Sequence, residues 1–178
     1  MVTKRKVLTA NERKVILDSI AAGNLDATRF HKISYDNLIH IFGKRLSRPV
    51  REREINQGRK RIDIVFTNSD RRGFFYSLNA LHHIKCPKIL AECKNYGQEI
   101  GNPEIDQLLG RFSSFRGRFG LLLCRSVENR KLIIDRCRDS LKDQKNCIIV
   151  LDDADIITLL KYRENNDDDE IDNLCLKS

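Results

Sequence analysis

Two short runs of strand-forming residues carry charges at positions where a buried strand is usually apolar. The runs are residues 61–66 and 88–94. Because side chains alternate between the two faces of a strand, Glu92 and Lys94 share one face, and Asp63 points away from its apolar neighbours. If the two strands pair, an Asp, a Glu and a Lys converge on one patch. The two runs together therefore predict a charged site on a β-sheet.

Such a site suits phosphodiester hydrolysis assisted by a divalent cation. Two close carboxylates repel each other, and Mg²⁺ relieves that repulsion while leaving positions for water and phosphate oxygens. The metal acidifies its bound water and stabilises charge on the phosphate, and a nearby ammonium can orient the water or support the transition state. We therefore expect Asp63 and Glu92 to bind the metal and Lys94 to act on the water. The alternative is an ion-pair cluster on the wet face of a sheet.

A helix is predicted to follow the second strand and to carry Gln107. Asn102 is expected to cap it, Pro103 suits its first turn, and Glu104 favours the positive end of the helix dipole. Gln107 can support the site or face solvent. The apolar residues expected to bury one side are Ile105, Leu108, Leu109, Phe112 and Phe115.

Asp63, then Glu92-Cys93-Lys94, then Gln107 on a helix resembles the motif of the PD-(D/E)xK superfamily of restriction-endonuclease-like nucleases. The runs at residues 58–66 and 91–96 are most similar to its Mrr-type branch. Ile62 stands where the proline of the motif's name would be. The separation between Asp63 and Glu92 is long for a single hairpin and indicates an insertion. A short helix near residues 74–81 is predicted for it, and a strand pair is the alternative assignment.

The resemblance implies an αβββαβ core with a mixed central sheet flanked by helices, here followed by an extra C-terminal helix, strand and helix. It implies Mg²⁺ dependence, with Mn²⁺ able to substitute, and cleavage of DNA to 5′-phosphate and 3′-hydroxyl ends. In that pattern the metal is bound by Asp63, Glu92 and the backbone carbonyl of Cys93, while Gln107 supports the site. Asp36 matches the acidic residue on the first core helix, although it can equally favour the positive end of that helix.

The length of 178 residues fits one domain with short additions. We expect an N-terminal helical appendage at residues 1–30, the nuclease domain at 31–163, and a disordered acidic tail at 164–178. Thr9 and Glu12 form a capping-box pattern for a first helix that ends at Gly23.

Later elements are predicted from caps and continuous apolar runs. Ser34 is expected to cap a second helix and Ser126 a later one. Residues 119–124 and 147–151 are apolar throughout, as strands buried on both faces are, and a helix between them predicts a parallel crossover. Asp152 is expected to cap a helix at residues 154–163.

The charge distribution favours a polyanionic partner. The net charge is +8 although residues 164–178 hold six acidic residues and one lysine, so the remaining chain is more basic still. A basic surface gains free energy from counterion release on DNA. Lys4, Arg5 and Lys6 form a basic tip that we expect to be solvated. The residues predicted to bind nucleic acid are Lys44, Arg45, Arg48, Arg59, Lys60, Arg61, Arg111, Arg116 and Arg118.

The six cysteines lack a Cys-x-x-Cys pair and lie mostly in apolar runs, which predicts buried, reduced thiols and a cytoplasmic location. No membrane segment is apparent from the sequence.

The predicted function is Mg²⁺-dependent endonucleolytic cleavage of DNA of the restriction or defence type. A homodimer, or a separate recognition or motor subunit, would fit this activity. The alternatives are a non-cleaving nucleic-acid-binding module of the same fold, a nuclease subunit that acts only within a larger complex, and an interaction domain whose basic face binds an acidic protein. An RNA substrate is a further alternative, because the site recognises the phosphate and not the sugar.

Overall fold

The computed structural model of the chain describes residues 7–178, which form five strands and seven helices. The basic tip at Lys4, Arg5 and Lys6 lies outside the described residues. The elements are α1 (Ala10–Asp18), α2 (Ala27–Phe42), β1 (Leu46–Ile55), β2 (Lys60–Asn68), α3 (Phe74–Ala80), β3 (Lys88–Lys94), α4 (Asn102–Leu109), β4 (Phe119–Cys124), α5 (Arg130–Gln144), β5 (Cys147–Leu151), α6 (Asp153–Glu164) and α7 (Asp168–Lys177).

The strands form one open mixed sheet in the order β1-β2-β3-β4-β5. β1, β2 and β3 pair antiparallel, whereas β3, β4 and β5 pair parallel. Parallel neighbours need a crossover connection, and α4 and α5 provide the two that this sheet requires. The predicted parallel pairing of the last two strands is confirmed, and α3 occupies the predicted insertion between β2 and β3.

Helices cover both faces of the sheet. One apolar cluster joins alternate sheet residues to α1, α2, α3, α6 and α7. The other joins the intervening sheet residues to α4 and α5. Strands β3, β4 and β5 are buried along almost their whole length because both of their faces are covered. The fold is thus a three-layer α/β arrangement with β1 as one exposed edge.

Two helices begin elsewhere than their predicted caps. α2 begins at Ala27, well before Ser34, because the buried side chains of Phe30 and Ile33 extend its apolar stripe towards the N-terminus. The predicted boundary after residue 30 therefore lies inside this helix. α5 begins at Arg130 rather than near Ser126, and the Asn129 side chain caps it by accepting from the Leu132 amide.

The start and end of α4 also differ from prediction. Gly101 takes the cap position, its amide donates to the Glu104 carboxylate at 2.8 Å, and Asn102 is already helical. The helix stops at Leu109 and the chain then turns, so Phe115 is 89% exposed instead of buried. By contrast, the capping boxes of Thr9 with Glu12 and of Asp152 with Asp155 are present.

The predicted disordered tail is wrong, because most of it is helix α7. Ile171 and Cys175, one turn apart, are buried in the larger apolar cluster. Asp168 and Asp172 both form ion pairs with Arg45. The burial predicted for the cysteines is confirmed, since all but the half-buried Cys147 are buried. Across residues 7–178, no helix combines the length and apolar character needed to cross a membrane.

Candidate active site at a strand fork

The candidate site lies where β2 and β3 separate. These strands pair from Thr67 with Lys88 to Ile64 with Ala91. Beyond that point β2 stays with β1, whereas β3 continues along β4 to Lys94. Asp63 and residues 92–94 therefore stand at the opening between the two strands. We call this group, Asp63 with residues 92–94, the strand fork.

Asp63 bridges the two arms of the fork. Its Oδ2 accepts a hydrogen bond from the backbone amide of Cys93 at 2.8 Å. His31 Nε2, from α2, lies 3.9 Å from the same oxygen. The carboxylate is thereby fixed against β3 even though the ladder between the strands has ended.

Glu92 is almost completely buried, at 1% exposed. One carboxylate oxygen accepts from Gln107 Nε2 at 3.1 Å, and the other accepts from Arg111 Nε at 3.2 Å. Burial raises the pKa of Glu92 to about 7, and the nearby charge of Asp63 adds to the rise, while Arg111 and Lys94 act in the opposite direction. The ion pair with Arg111 is therefore too weak to offset the combined effect of burial and the second carboxylate.

Lys94 is also buried, at 8% exposed, and its ammonium group donates to Gln107 Oε1 at 2.7 Å. The amide of Gln107 thus joins Lys94 to Glu92. Lys94 Nζ also lies 5.7 Å from the ring centre of Tyr96, within range of a cation–π contact. The structure brings together all four residues predicted to be catalytic.

The other two predicted metal-site positions have different surroundings. Cys93 contributes its backbone amide to Asp63, and its thiol lies on the opposite side of β3 near Ser34, where burial raises its pKa. Asp36 is exposed on α2, and its charge acts on Arg13. The residue of α2 that reaches the fork is His31, which is five positions earlier and so about 140° around the helix. The structure does not support a metal-binding role for Asp36.

Sequence reasoning missed His31 and misjudged Arg111. Once α2 begins at Ala27, His31 and Ser34 fall one turn apart on the face turned to the fork, but the incorrect cap at Ser34 left His31 outside the predicted helix. Arg111, predicted to bind nucleic acid, instead pairs with Glu92. Arg111 lies four residues after Gln107, and this spacing could have indicated that both side chains approach the same site.

The other residues predicted to bind nucleic acid do not form one surface patch around the fork. Lys44 and Arg45 precede β1, about 20 Å along that strand from the level of Asp63, whereas Arg48 lies within β1 at roughly 10–15 Å from that level. Arg45 is half-buried against α7 and is not free to meet phosphate. Arg59, Lys60 and Arg61 are exposed near the fork. Three others are engaged within the chain, because Lys44 donates to Asn166, Arg116 to the Arg111 carbonyl and Arg118 to the Gln144 carbonyl. Arg48 is exposed.

The donor set of the fork fits a hard cation. Among residues 7–178, no three His, Cys, Asp or Glu side chains group in a way that could hold a metal. Mg²⁺, however, commonly uses only one or two protein carboxylates and fills its other positions with water and phosphate. Asp63 and Glu92 supply such a pair. Burial is the main cause of the raised pKa of Glu92, and the charge of Asp63 adds a repulsion that a cation would relieve.

Comparison of the chain with protein-family models, with curated proteins and with solved structures gave no match.

Proposed function

We propose that the chain is a metal-dependent endonuclease of the PD-(D/E)xK, restriction-endonuclease-like kind that hydrolyses DNA phosphodiester bonds. The observation that carries this proposal is the strand fork, where Asp63 and Glu92 lie beside Lys94 and Gln107. A solvated ion-pair cluster would be exposed, whereas Glu92 and Lys94 are buried at a cost in free energy. Burial of paired charges that leaves an acid with a perturbed pKa is typical of a functional site.

Asp63 and Glu92, with the carbonyl of Cys93, would hold Mg²⁺ or Mn²⁺. The bound ion would lower the pKa of a water molecule and neutralise charge on the phosphate.

The side chains of the fork supply positioning and charge. Lys94, held by Gln107, is placed to orient the attacking water or to stabilise the phosphate oxygens as their charge grows. In the reaction, the water oxygen bonds to phosphorus while the bond from phosphorus to the 3′ oxygen breaks. The water gives up a proton to solvent and the 3′ oxygen takes one up, which leaves 5′-phosphate and 3′-hydroxyl ends.

Plasmid nicking in Mg²⁺ tests this proposal. Asp63→Ala and Lys94→Ala are each expected to lower the nicking rate by roughly 100-fold or more, as loss of a group that stabilises the transition state does. The matched controls are Asp106→Ala, an exposed acid on α4, and Lys142→Ala, an exposed lysine on α5, which should nick like wild type. Equal rates for all five proteins would refute the assignment.

A non-cleaving nucleic-acid-binding module of the same fold is the second candidate, and the ion pair between Arg111 and Glu92 favours it. A guanidinium already compensates part of the charge that a metal would neutralise. Salt-dependent DNA binding without Mg²⁺-dependent nicking would select this candidate. A homodimer belongs to the proposal as the means of cutting both strands, and a separate recognition or motor subunit is a further proposed partner. The proposed location is the cytoplasm.

A further inference from the structure

The hairpin formed by β1 and β2 extends beyond the sheet at the strand fork. Residues 53–62 pair only with each other, because β2 has left β3 by this point and β1 is the edge strand. From 53 to 61, every residue except the half-buried Ile55 is exposed, while Ile62 anchors the base of the hairpin in the core. We call residues 53–62 the hairpin arm. It is a two-stranded ribbon whose base adjoins Asp63.

The basic residues of the arm are separated by face. Directly paired residues on neighbouring strands share a face. Arg53 pairs with Ile62 and Lys60 pairs with Ile55, and both isoleucines pack in the cluster that contains α4. Arg53 and Lys60 therefore belong to the α4 side of the arm.

The acidic residues lie on the other side of the arm. Glu54 pairs with Arg61, and Glu52, just before the arm, has its carboxylate 3.9 Å from the Arg61 guanidinium. Arg61 thus has one acidic residue as its partner across the hairpin and a second within ion-pair distance. The cationic charge of Arg53 and Lys60 is not offset in this way, so the α4 side of the arm is the more positive one.

Lys60 connects the arm to the candidate site. Its ammonium group lies beside Gly110, 3.8 Å from the position that a side chain there would occupy. Gly110 directly precedes Arg111, which contacts Glu92. Lys60 therefore lies next to the segment whose arginine contacts the buried carboxylate.

The arm has the dimensions of a groove-binding element. At about 3.3 Å per residue, its turn lies roughly 15–20 Å from Asp63. The major groove of B-form DNA is about 12 Å wide and 8.5 Å deep, and it admits a two-stranded β-ribbon. The A-form groove of duplex RNA is too narrow for such an element, and a single strand offers no groove.

We propose that the hairpin arm enters a groove of B-form duplex DNA, with Arg53 and Lys60 on the flanking phosphates while a phosphodiester lies at the strand fork. The inference rests on the proposed function for the position of that phosphodiester, and it assigns duplex DNA as the substrate. The arm supplies affinity for the duplex independently of any metal.

Fluorescence anisotropy with a short labelled DNA duplex in EDTA tests the arm, with NaCl concentration as the variable. The double variant Arg53→Gln/Lys60→Gln is expected to bind about tenfold more weakly or worse. Its plot of log affinity against log salt should be shallower by about 2, because each phosphate contact contributes about 0.9. Arg61→Gln should lose less than the double variant. Arg138→Gln/Lys142→Gln, a matched pair of exposed cations on α5, should bind like wild type.

Three outcomes would contradict the proposed role of the arm. They are no duplex binding by wild type, equal affinity of the Arg53/Lys60 variant and wild type for the duplex, and equal affinity of wild type for duplex DNA, single strands and duplex RNA. Plasmid nicking measured in parallel separates this inference from the proposed function. If duplex binding depends on the arm but no protein nicks DNA, the arm stands and the nuclease proposal fails. If nicking depends on Asp63 but the arm variants bind DNA like wild type, the nuclease proposal is supported and the proposed role of the arm fails. All five exchanged residues are exposed, so thermal melts should confirm that the variants fold.

Discussion

At the candidate site, folding clearly shifts the pKa of Glu92. Its carboxyl group is buried beside Asp63, and its pKa rises to about 7 from an ordinary value near 4.5. An acid with a raised pKa in the folded state favours the neutral form there. Its effect on folding is therefore smallest below pH 4.5, and stability is lost as the pH rises from there through 7.

The loss of stability with rising pH leads to a prediction for the metal-free protein. Glu92→Gln removes the charge that is costly above pH 7 while keeping a similar shape. The variant should exceed wild type in unfolding free energy by about 1–3 kcal/mol at pH 8, and the difference should shrink as the pH falls and approach zero below about pH 4.5. Urea denaturation in EDTA at several pH values measures it. Glu128→Gln, at an exposed position, serves as the control and should show no such trend. A gain independent of pH would mean that the charge of Glu92 is not the cause.

At the scale of elements, α7 converts an acidic sequence into part of the core. Its N-terminal residues interact with Arg45 and Arg163, and its apolar stripe closes over α3 and α6. Acids in the first turn also suit the positive end of the helix dipole. The helix is held by packing and by ion pairs with residues far away in the chain.

Ile171 reports on that packing because its side chain is fully buried. Ile171→Ala should reduce the free energy of unfolding by about 2–4 kcal/mol, the usual cost of emptying a core position. Leu176→Ala, on the same helix but 60% exposed, should cost less than about 0.5 kcal/mol. Denaturant titration of the two variants provides the comparison. Similar small losses in both would show that α7 does not stabilise the fold.

Local patterns predicted the strands well and the contacts between distant elements poorly. Residues 119–124 and 147–151 are continuously apolar because both sheet faces are covered, and that signal lies within the strand itself. The proximity of Asp63, Glu92 and Lys94 was predictable because strand alternation is also local, and the resemblance to a nuclease motif added Gln107. The charges of α7 suggested disorder, since their partner Arg45 is remote in sequence. His31 was missed for the same reason, because only the packing of α2 on the sheet brings it to Asp63.

At the scale of the whole molecule, Arg125 joins segments that sequence order keeps apart. Its guanidinium donates to Asp153 of α6 at 2.8 Å and to the Asn95 side chain at 2.9 Å. It also donates to two carbonyls at the end of α1 and in the loop after it, those of Leu17 and Ile20. Asn95 directly follows Lys94, so the N-terminal segment is tied to the end of the strand that carries the candidate site.

Asn95 completes that connection from β3. Its side-chain amide donates to the backbone carbonyls of Ala21 and Gly23. The backbone carbonyl of Asn95 accepts from the Gly23 amide at 2.6 Å. The segment between α1 and α2 is therefore held to β3 by hydrogen bonds rather than by apolar packing alone. Loss of Arg125 would leave the half-buried Asp153 without its partner, and the whole junction would loosen.

Arg125→Lys tests the junction, because an ammonium group cannot reproduce the forked geometry of a guanidinium. We expect the free energy of unfolding to fall by about 2–4 kcal/mol. Hydrogen exchange should accelerate in the peptide containing Gly23 more than in peptides of β4 and β5. The exposed Arg138, changed to Lys, provides the matched control and should alter neither quantity. If both lysine variants exchanged like wild type around Gly23, the N-terminal segment would be held by packing, and Arg125 would not control how firmly β3 presents Lys94.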